Sequence, residues 1–194
     1  MIFGNPDSFA VYLDKIEAWS NNSGETNGIT GIYINKRFFL TNFGLISFNN
    51  EFGNFLNNSN NLQCDQSAFN LADIQLLKFM LMERYPNWYA NSEEEWETNI
   101  DSWKDCNENH RFDLSLESFS IGHIERFYLF GLKSIDNYIK LIFYIKDDSK
   151  DFFDFSVLNS SNIESVILKA DEYELYINEI KLYLFKIGIN WSLD

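Results

Sequence analysis

The stretch from Asn27 to Phe43, NGITGIYINKRFFLTNF, decides the fold of this chain. β-Branched and aromatic residues fill its two halves, which flank the polar pair Asn35-Lys36. Such runs on either side of a short polar pair predict a β-hairpin. Because a hairpin alone is only marginally stable in water, the rest of the chain must supply further strands and the helices that cover them.

Strand patterns also occur before and after this hairpin. The segment from Phe9 to Trp19 fits a strand or a helix, and we favour a strand because residues 21–27 then form a loop that joins it antiparallel to Ile29–Ile34. Period-two alternation is clearest over Ile139–Ile145, whose odd-numbered residues share one side. Further strands of a meander are predicted around Phe112, Leu114 and Leu116; Phe127 and Leu129; Phe153, Phe155 and Val157, after a turn at Asp147 to Ser149; and Val166 to Leu168.

A largely buried helix is predicted over Leu71–Tyr85. Asn70 can cap it, Asp73 in its first turn complements the helix dipole, and Pro86 ends it. Its predicted apolar face consists of Leu71, Ile74, Leu77 and Leu81, widened by Phe79, Met80 and Met82. By contrast, Asn49–Asn61 is rich in asparagine with scattered phenylalanines, which predicts an irregular loop.

Two more helices complete the predicted elements. A short acidic helix starts from the capping box Ser92–Glu95, and a final helix starts from Asp171 with Glu174 and stops at Gly188. The final helix has an apolar stripe of Tyr173, Ile177, Ile180, Leu184 and Ile187. The predicted fold class is therefore α+β: a single domain, residues 1–194, in which one antiparallel sheet of hairpins and a meander is covered on one face by the two main helices, with the short acidic helix in addition.

Composition limits the class of partner. The chain has 194 residues, 45% of them hydrophobic and 18% aromatic, which suffices for one sizeable core. Its formal net charge of -14 argues against nucleic acid or an anionic membrane as the main partner and favours a basic protein or a cation. The opening MIFGNPDSFA lacks the features of a signal peptide, and the apolar runs are too short to span a bilayer, so we expect a cytoplasmic protein.

No catalytic or cofactor motif is visible. The sequence has no glycine-rich phosphate loop, no G-x-S-x-G elbow and no H-E-x-x-H motif. Cys64, Cys106, His110 and His123 could be assembled into a zinc site, but their spacing matches no recurring zinc motif, and we interpret the two cysteines as reduced thiols. His110 or His123 could act as a general base, although a loop or sheet histidine is the simpler interpretation. We therefore predict no catalytic residues, no metal and no cofactor.

One acidic segment is the candidate binding site. Its carboxylates would steer a basic protein, and its tryptophans would anchor that protein. The alternative is a solvated helix whose tryptophans pack on the core of the same chain. The candidate residues are Glu93, Glu94, Glu95, Trp96, Glu97, Asp101 and Trp103.

Four segments carry a family resemblance. They are the opening Met1–Pro6, the strand Phe9–Trp19, the hairpin segment Gly31–Asn35 and the segment Ile163–Tyr173. Together they resemble the bacterial immunity protein 42 family, although this chain has Asn5 and Asn35-Lys36 where the family pattern has aspartate and Asn-Gly. The resemblance implies a protein that binds and neutralises a cognate toxin encoded beside it. It implies no catalytic residues and does not indicate which surface binds.

Two alternatives of other classes remain at this stage. A small cytoplasmic enzyme would need a pocket with convergent polar groups around His110 or His123. An acidic adaptor would use the same charged surface to bind a host protein, and no toxin gene would lie next to its own. Gene neighbourhood would therefore separate the immunity protein from the adaptor.

Overall fold

The fold consists of two four-stranded antiparallel sheets and four α-helices in a computed structural model that describes residues 1–20, 26–84, 112–114, 120–121, 125–147, 158 and 160–189. The first sheet contains β1 to β4 in that order, and the second contains β5 to β8 in that order. The strands are β1 (Ile2–Asn5), β2 (Phe9–Lys15), β3 (Asn27–Ile34), β4 (Arg37–Ser47), β5 (Ser120–Ile121), β6 (Glu125–Lys133), β7 (Tyr138–Asp147) and β8 (Ile163–Lys169). The helices are α1 (Phe48–Asn60), α2 (Gln66–Phe69), α3 (Asp73–Arg84) and α4 (Ala170–Lys186).

The predicted hairpin is confirmed as β3 and β4. Asn35 and Lys36 both have positive φ, as the two central residues of a type I′ turn require. The turn is fastened to the second sheet, because the Asn35 side chain donates to the Ser165 carbonyl at 3.1 Å and Arg37 pairs with Glu164 on β8. The hairpin therefore connects the two sheets as well as forming half of one.

The strand interpretation of Phe9–Trp19 is confirmed for its first seven residues. β2 pairs antiparallel with β3, and Phe9 lies opposite Ile34. Only Glu17–Trp19 is helical, as a single 3₁₀ turn. The alternation of apolar residues therefore predicts the structure of this segment correctly. The helical spacing of the same residues does not correspond to a helix.

The prediction of an irregular loop over Asn49–Asn61 is wrong. All of these residues except Asn61 belong to α1, in which Phe48, Phe52 and Phe55 are buried at helical spacing and pack edge-to-face in sequence at 6.0 Å. Asparagine costs up to about 0.7 kcal/mol per helical position. Burial of one phenylalanine contributes roughly 1.5–3 kcal/mol, so tertiary packing outweighs the local preference.

The predicted helix after Asn70 is confirmed as α3, but its start and its buried face differ from the prediction. Asn70 is the C-cap of the short α2, and α3 begins at Asp73. Met82 is exposed, whereas the buried residues are Leu76, Leu77, Met80 and Leu81. The predicted end at Tyr85 and Pro86 lies outside the described residues.

The final helix is confirmed as α4, with its predicted stripe turned toward the core. Asp171 lies in its first turn and does not cap it, because Lys169 holds the N-cap position without a side-chain hydrogen bond. Gly188 follows the helix with φ +93°, and the amide of Ile189 donates back to the carbonyl of Leu184. This is the left-handed glycine ending that the sequence predicts.

The α+β class is confirmed, but the single sheet covered on one face is not the observed arrangement. The odd-numbered residues of β7 face a core shared with the first sheet, α1 and α4. Ile142 and Tyr144 face a second cluster with α3. The two main helices therefore lie on opposite faces of the second sheet, because its central strand β7 is apolar on both sides.

Two further strands were predicted in the last third of the chain, and one of them lies within the described residues. β8 confirms the short strand predicted at Val166 to Leu168, whereas the strand predicted around Phe153, Phe155 and Val157 lies outside the described residues. No helix in the described part of the chain is both long and apolar enough to cross a membrane.

Candidate functional site

The acidic segment singled out in the sequence lies outside the described residues, as do Cys106, His110 and His123. Its residues are Glu93, Glu94, Glu95, Trp96, Glu97, Asp101 and Trp103. Of the four residues considered for zinc, only Cys64 is described, as an exposed free thiol. Within the described ranges no three histidine, cysteine or carboxylate side chains come together in a way that would hold a metal ion.

An apolar surface lies on the outer side of the first sheet. Phe9, Val11 and Leu13 of β2 point into the core, so the alternate residues of this sheet face outward. Those outward residues include five apolar or aromatic side chains, which we call the aromatic face: Ile2, Tyr12, Tyr33, Phe38 and Leu40. Ile2 is 48% exposed, Phe38 44% and Leu40 36%.

The strand register makes the aromatic face continuous. Ile2 lies opposite Tyr12, and Tyr33 lies opposite Phe38. Gly31 lies between Tyr12 on β2 and Leu40 on β4. The five side chains therefore span all four strands of the sheet.

The rings of the aromatic face are packed against each other. Phe38 lies 4.7 Å from Tyr33 and 5.9 Å edge-to-face from Tyr12, measured between ring centroids. Phe38 also lies over Gly31, where a Cβ atom would come within 2.5 Å of the phenylalanine ring. Glycine at this position therefore lets the ring approach the backbone of the sheet closely.

A carboxylate adjoins the aromatic rings. The Tyr12 hydroxyl donates to Asp14 at 3.2 Å. Burial, followed by the charge and hydrogen bond of Asp14, raises the pKa of the Tyr12 phenol above its ordinary value. Among the described residues no lysine or arginine forms an ion pair with Asp14, whereas Lys15 pairs with Glu17 at 3.0 Å. The aromatic face thus presents apolar rings beside a negative charge.

A buried polar network holds α3 on the second sheet. The Lys140 ammonium on β7 lies 2.8 Å from Asp73 and donates to the Leu71 carbonyl at 3.0 Å, and Ser165 on β8 donates to Asp73 at 2.5 Å. Burial tends to raise the pKa of the Asp73 carboxyl, but the hydrogen bonds from Lys140 and Ser165, together with the positive charge of Lys140, outweigh it, and the pKa lies below its ordinary value. These groups satisfy one another, so the network has a structural role.

A small cleft of about 200 Å³ lies between α1 and α4. Two of its polar side chains are engaged within the protein: Ser59 shares a hydrogen bond of 2.8 Å with the Tyr173 hydroxyl, and Asn60 accepts one of 2.8 Å from Lys181. Small-molecule sites are larger, roughly 300–1,000 Å³, and offer convergent polar groups. The cleft therefore gives no support to the enzyme alternative.

Sequence reasoning identified the hairpin but not its exposed side. The available signal was parity: Tyr12, Tyr33 and Phe38 occupy the alternate positions that are polar in a sheet with one face in water. The pattern alone could not show that Phe38 on this side is exposed, because exposure depends on where distant segments pack.

Comparison with known proteins agrees with this fold. The model of the family described as immunity protein 42 matches residues 1–183. No curated protein matches the chain. A crystal structure of CdiI from Burkholderia dolosa AUO158 is similar at 19% sequence identity, with a TM-score of 0.66, and the alignment covers 94% of this chain and 99% of that one. That likeness concerns the fold, whereas the family match spans nearly the whole sequence, and this chain therefore belongs to the immunity protein 42 family.

Proposed function

We propose that this immunity protein neutralises its cognate bacterial toxin by stoichiometric binding in the cytoplasm, without catalytic turnover. The observation that carries the proposal is the family match over residues 1–183. The surface features agree with it, because aromatic side chains and carboxylates are common in protein interfaces. Steric occlusion or an induced inactive form of the toxin would suffice for protection.

The charge of the chain indicates the kind of toxin. At a formal net charge of -14, electrostatic attraction would speed encounter with a basic protein such as a nuclease. Screening by salt would then slow association, since the Debye length falls from about 10 Å at 0.1 M to about 3 Å at 1 M. The segment Glu93–Trp103, with its carboxylates and tryptophans, remains a predicted contact region of this interaction.

The experiment that tests the proposal is co-expression with the product of the adjacent gene, followed by purification through a tag on that product alone. We expect a complex of fixed stoichiometry and rescue of cells from the toxicity of the neighbour. Failure to form a complex with a neighbour that is also harmless would refute the immunity function and favour the adaptor.

A second measurement separates binding from catalysis. Purified toxin is mixed with a tenfold smaller amount of the immunity protein, and free toxin is counted by native mass spectrometry over several hours. Stoichiometric binding leaves the excess toxin free and unchanged in mass. A steady conversion of the excess into a modified species would show an enzyme instead.

A further inference from the structure

We infer that the toxin docks on the aromatic face, and that it does so with a cationic side chain placed beside an apolar one. This inference rests on the proposed function, because it assigns a surface and a chemistry to the same partner. The aromatic face comprises Ile2, Tyr12, Tyr33, Phe38 and Leu40, with the Asp14 carboxylate at its side.

The first argument is the composition of this side of the sheet. An antiparallel sheet with one face in the core normally turns polar residues toward water on the other. Here the outward positions instead carry Phe38 at 44% exposure and Ile2 at 48%, next to two tyrosines. Contiguous apolar surface of this kind marks interaction sites, and tyrosine and phenylalanine are enriched in protein interfaces.

The second argument is that the aromatic rings are ordered before any partner arrives. Phe38 is held between Tyr12 and Tyr33 and rests on Gly31. Immobilising a free side chain on binding costs roughly 0.5–1.5 kcal/mol, and rings that are already packed avoid most of that cost. A rigid aromatic cluster is therefore suited to anchor a partner.

The third argument is charge complementarity. Ring faces attract cations, and a carboxylate beside them adds an ion-pair partner, a combination that fits a guanidinium. Arg37, the nearest arginine in sequence, is directed away from this surface to Glu164 on β8. Lys15 is likewise engaged, with Glu17, so neither of these two cations neutralises Asp14, and the site suits a cation supplied by the basic toxin of the proposed function.

A second apolar patch provides a contrast. The exposed side of α4 carries Leu175, Leu182 and Phe185, of which Phe185 is 67% exposed. The acidic residues of this helix, Glu179 and those before it, lie in its earlier part, whereas the charged residues nearest to Phe185 along the helix are Lys181 and Lys186. Phe185 thus serves as a matched control: an exposed phenylalanine whose nearest charged neighbours along the helix are lysines rather than a carboxylate.

The test measures the affinity of purified variants for the adjacent-gene toxin by titration calorimetry at two salt concentrations. Phe38→Ala should weaken binding roughly thirtyfold or more, the size of a hot-spot truncation, whereas Phe185→Ala should stay within about twofold. Asp14→Asn keeps an acceptor for the Tyr12 hydroxyl and removes only the charge, so it should weaken binding several-fold and reduce its dependence on salt.

A further variant keeps the test decisive if Phe38→Ala fails to fold. Leu40→Lys places a positive charge within the aromatic face on an edge strand of the described sheet, a position where lysine is well tolerated. It should repel a basic partner and weaken binding at least tenfold. If wild-type protein binds the toxin while Asp14→Asn and Leu40→Lys bind as well as wild type, the docking inference is overturned and the immunity function stands. If wild type itself does not bind, the proposed function has failed.

Discussion

Replacing Asp73 with alanine should destabilise the protein more than replacing its buried partner Lys140 with methionine. Asp73→Ala leaves the Lys140 ammonium, whose side chain is 8% exposed, with only the Leu71 carbonyl as a described partner. Lys140→Met removes the charge and keeps an apolar stem of similar length. The exposed Asp73, with 43% of its side chain accessible, can then be solvated by water.

The expected magnitudes follow from burial. Removing one partner of a fully buried ion pair costs roughly 3–5 kcal/mol. Because Asp73 is partly exposed, water can reach the site, and we expect a loss of about 1–3 kcal/mol for Asp73→Ala. Lys140→Met should cost about 1 kcal/mol or less, since the Asp73 carboxylate that remains is partly exposed to water and keeps its hydrogen bond from Ser165. The double variant should then resemble Lys140→Met, which would reveal the coupling between the two residues.

The assay is urea unfolding followed by far-UV circular dichroism at several pH values. The pKa of Asp73 in the folded protein lies below its ordinary value of 3.8, so its contribution is complete above pH 3.8 and is lost as the pH falls through the lower folded value. The difference between wild type and Asp73→Ala should therefore be constant from pH 7 to 5 and narrow below pH 3.8. This account would be refuted if the free energy of unfolding of Asp73→Ala lay within about 0.5 kcal/mol of the wild-type value at pH 7, or if Lys140→Met lost more stability than Asp73→Ala.

Three other substitutions probe elements that the structure revealed or confirmed. Phe52→Ala in the middle of α1 should lower the free energy of unfolding, measured by urea denaturation, by about 3–5 kcal/mol. The control Asn57→Ala, on the exposed side of α1, should change it by less than about 0.5 kcal/mol, and equal effects of the two variants would mean that the phenylalanines do not hold α1 in place. Tyr173→Phe leaves the buried Ser59 hydroxyl without its partner and should cost about 1–2 kcal/mol, and a neutral result would show that this hydroxyl is satisfied otherwise. In Gly188→Ala the added Cβ atom would contact no other residue, so the expected loss of about 1 kcal/mol reflects only the cost of the positive φ for alanine. Thermal unfolding measures this loss, and an unchanged melting temperature would contradict that backbone conformation.

Local sequence patterns predicted the strands and helices in which the spacing of apolar residues has the period of the element. The hairpin at Asn35-Lys36, the alternation of Ile139–Ile145 and the stripe on α4 could all be predicted, because the turn residues and the spacing of apolar residues are visible within a few positions of the sequence. The pattern of α3 predicted a helix but not which of its sides is buried, since apolar residues lie around much of its circumference. Only contact with the second sheet selected Leu76 and Met80 over Met82.

The acidic segment and the aromatic face differ in how far the sequence could identify them as binding surfaces. The segment Glu93–Trp103 was selected on composition, and its role as a contact region remains a prediction. Phe38 was assigned to a strand, and its alternate position indicated which side of the strand it occupies but not that this side is exposed. Composition identifies side chains that can bind a partner, but exposure depends on which surfaces the remaining chain covers.

The sequence by itself determined the α+β class, the strands flanking Asn35-Lys36, the final helix with its end at Gly188, and the membership of the immunity protein 42 family. The tertiary structure alone decided that the strands form two sheets, that residues 49–60 lie within a helix and that Ile2, Phe38 and Leu40 on the outer side of the first sheet are exposed. The physical reason is the range of the interactions. Hydrogen-bonded turns and apolar periods act within a few residues, whereas burial is a property of segments far apart in the chain that pack against one another.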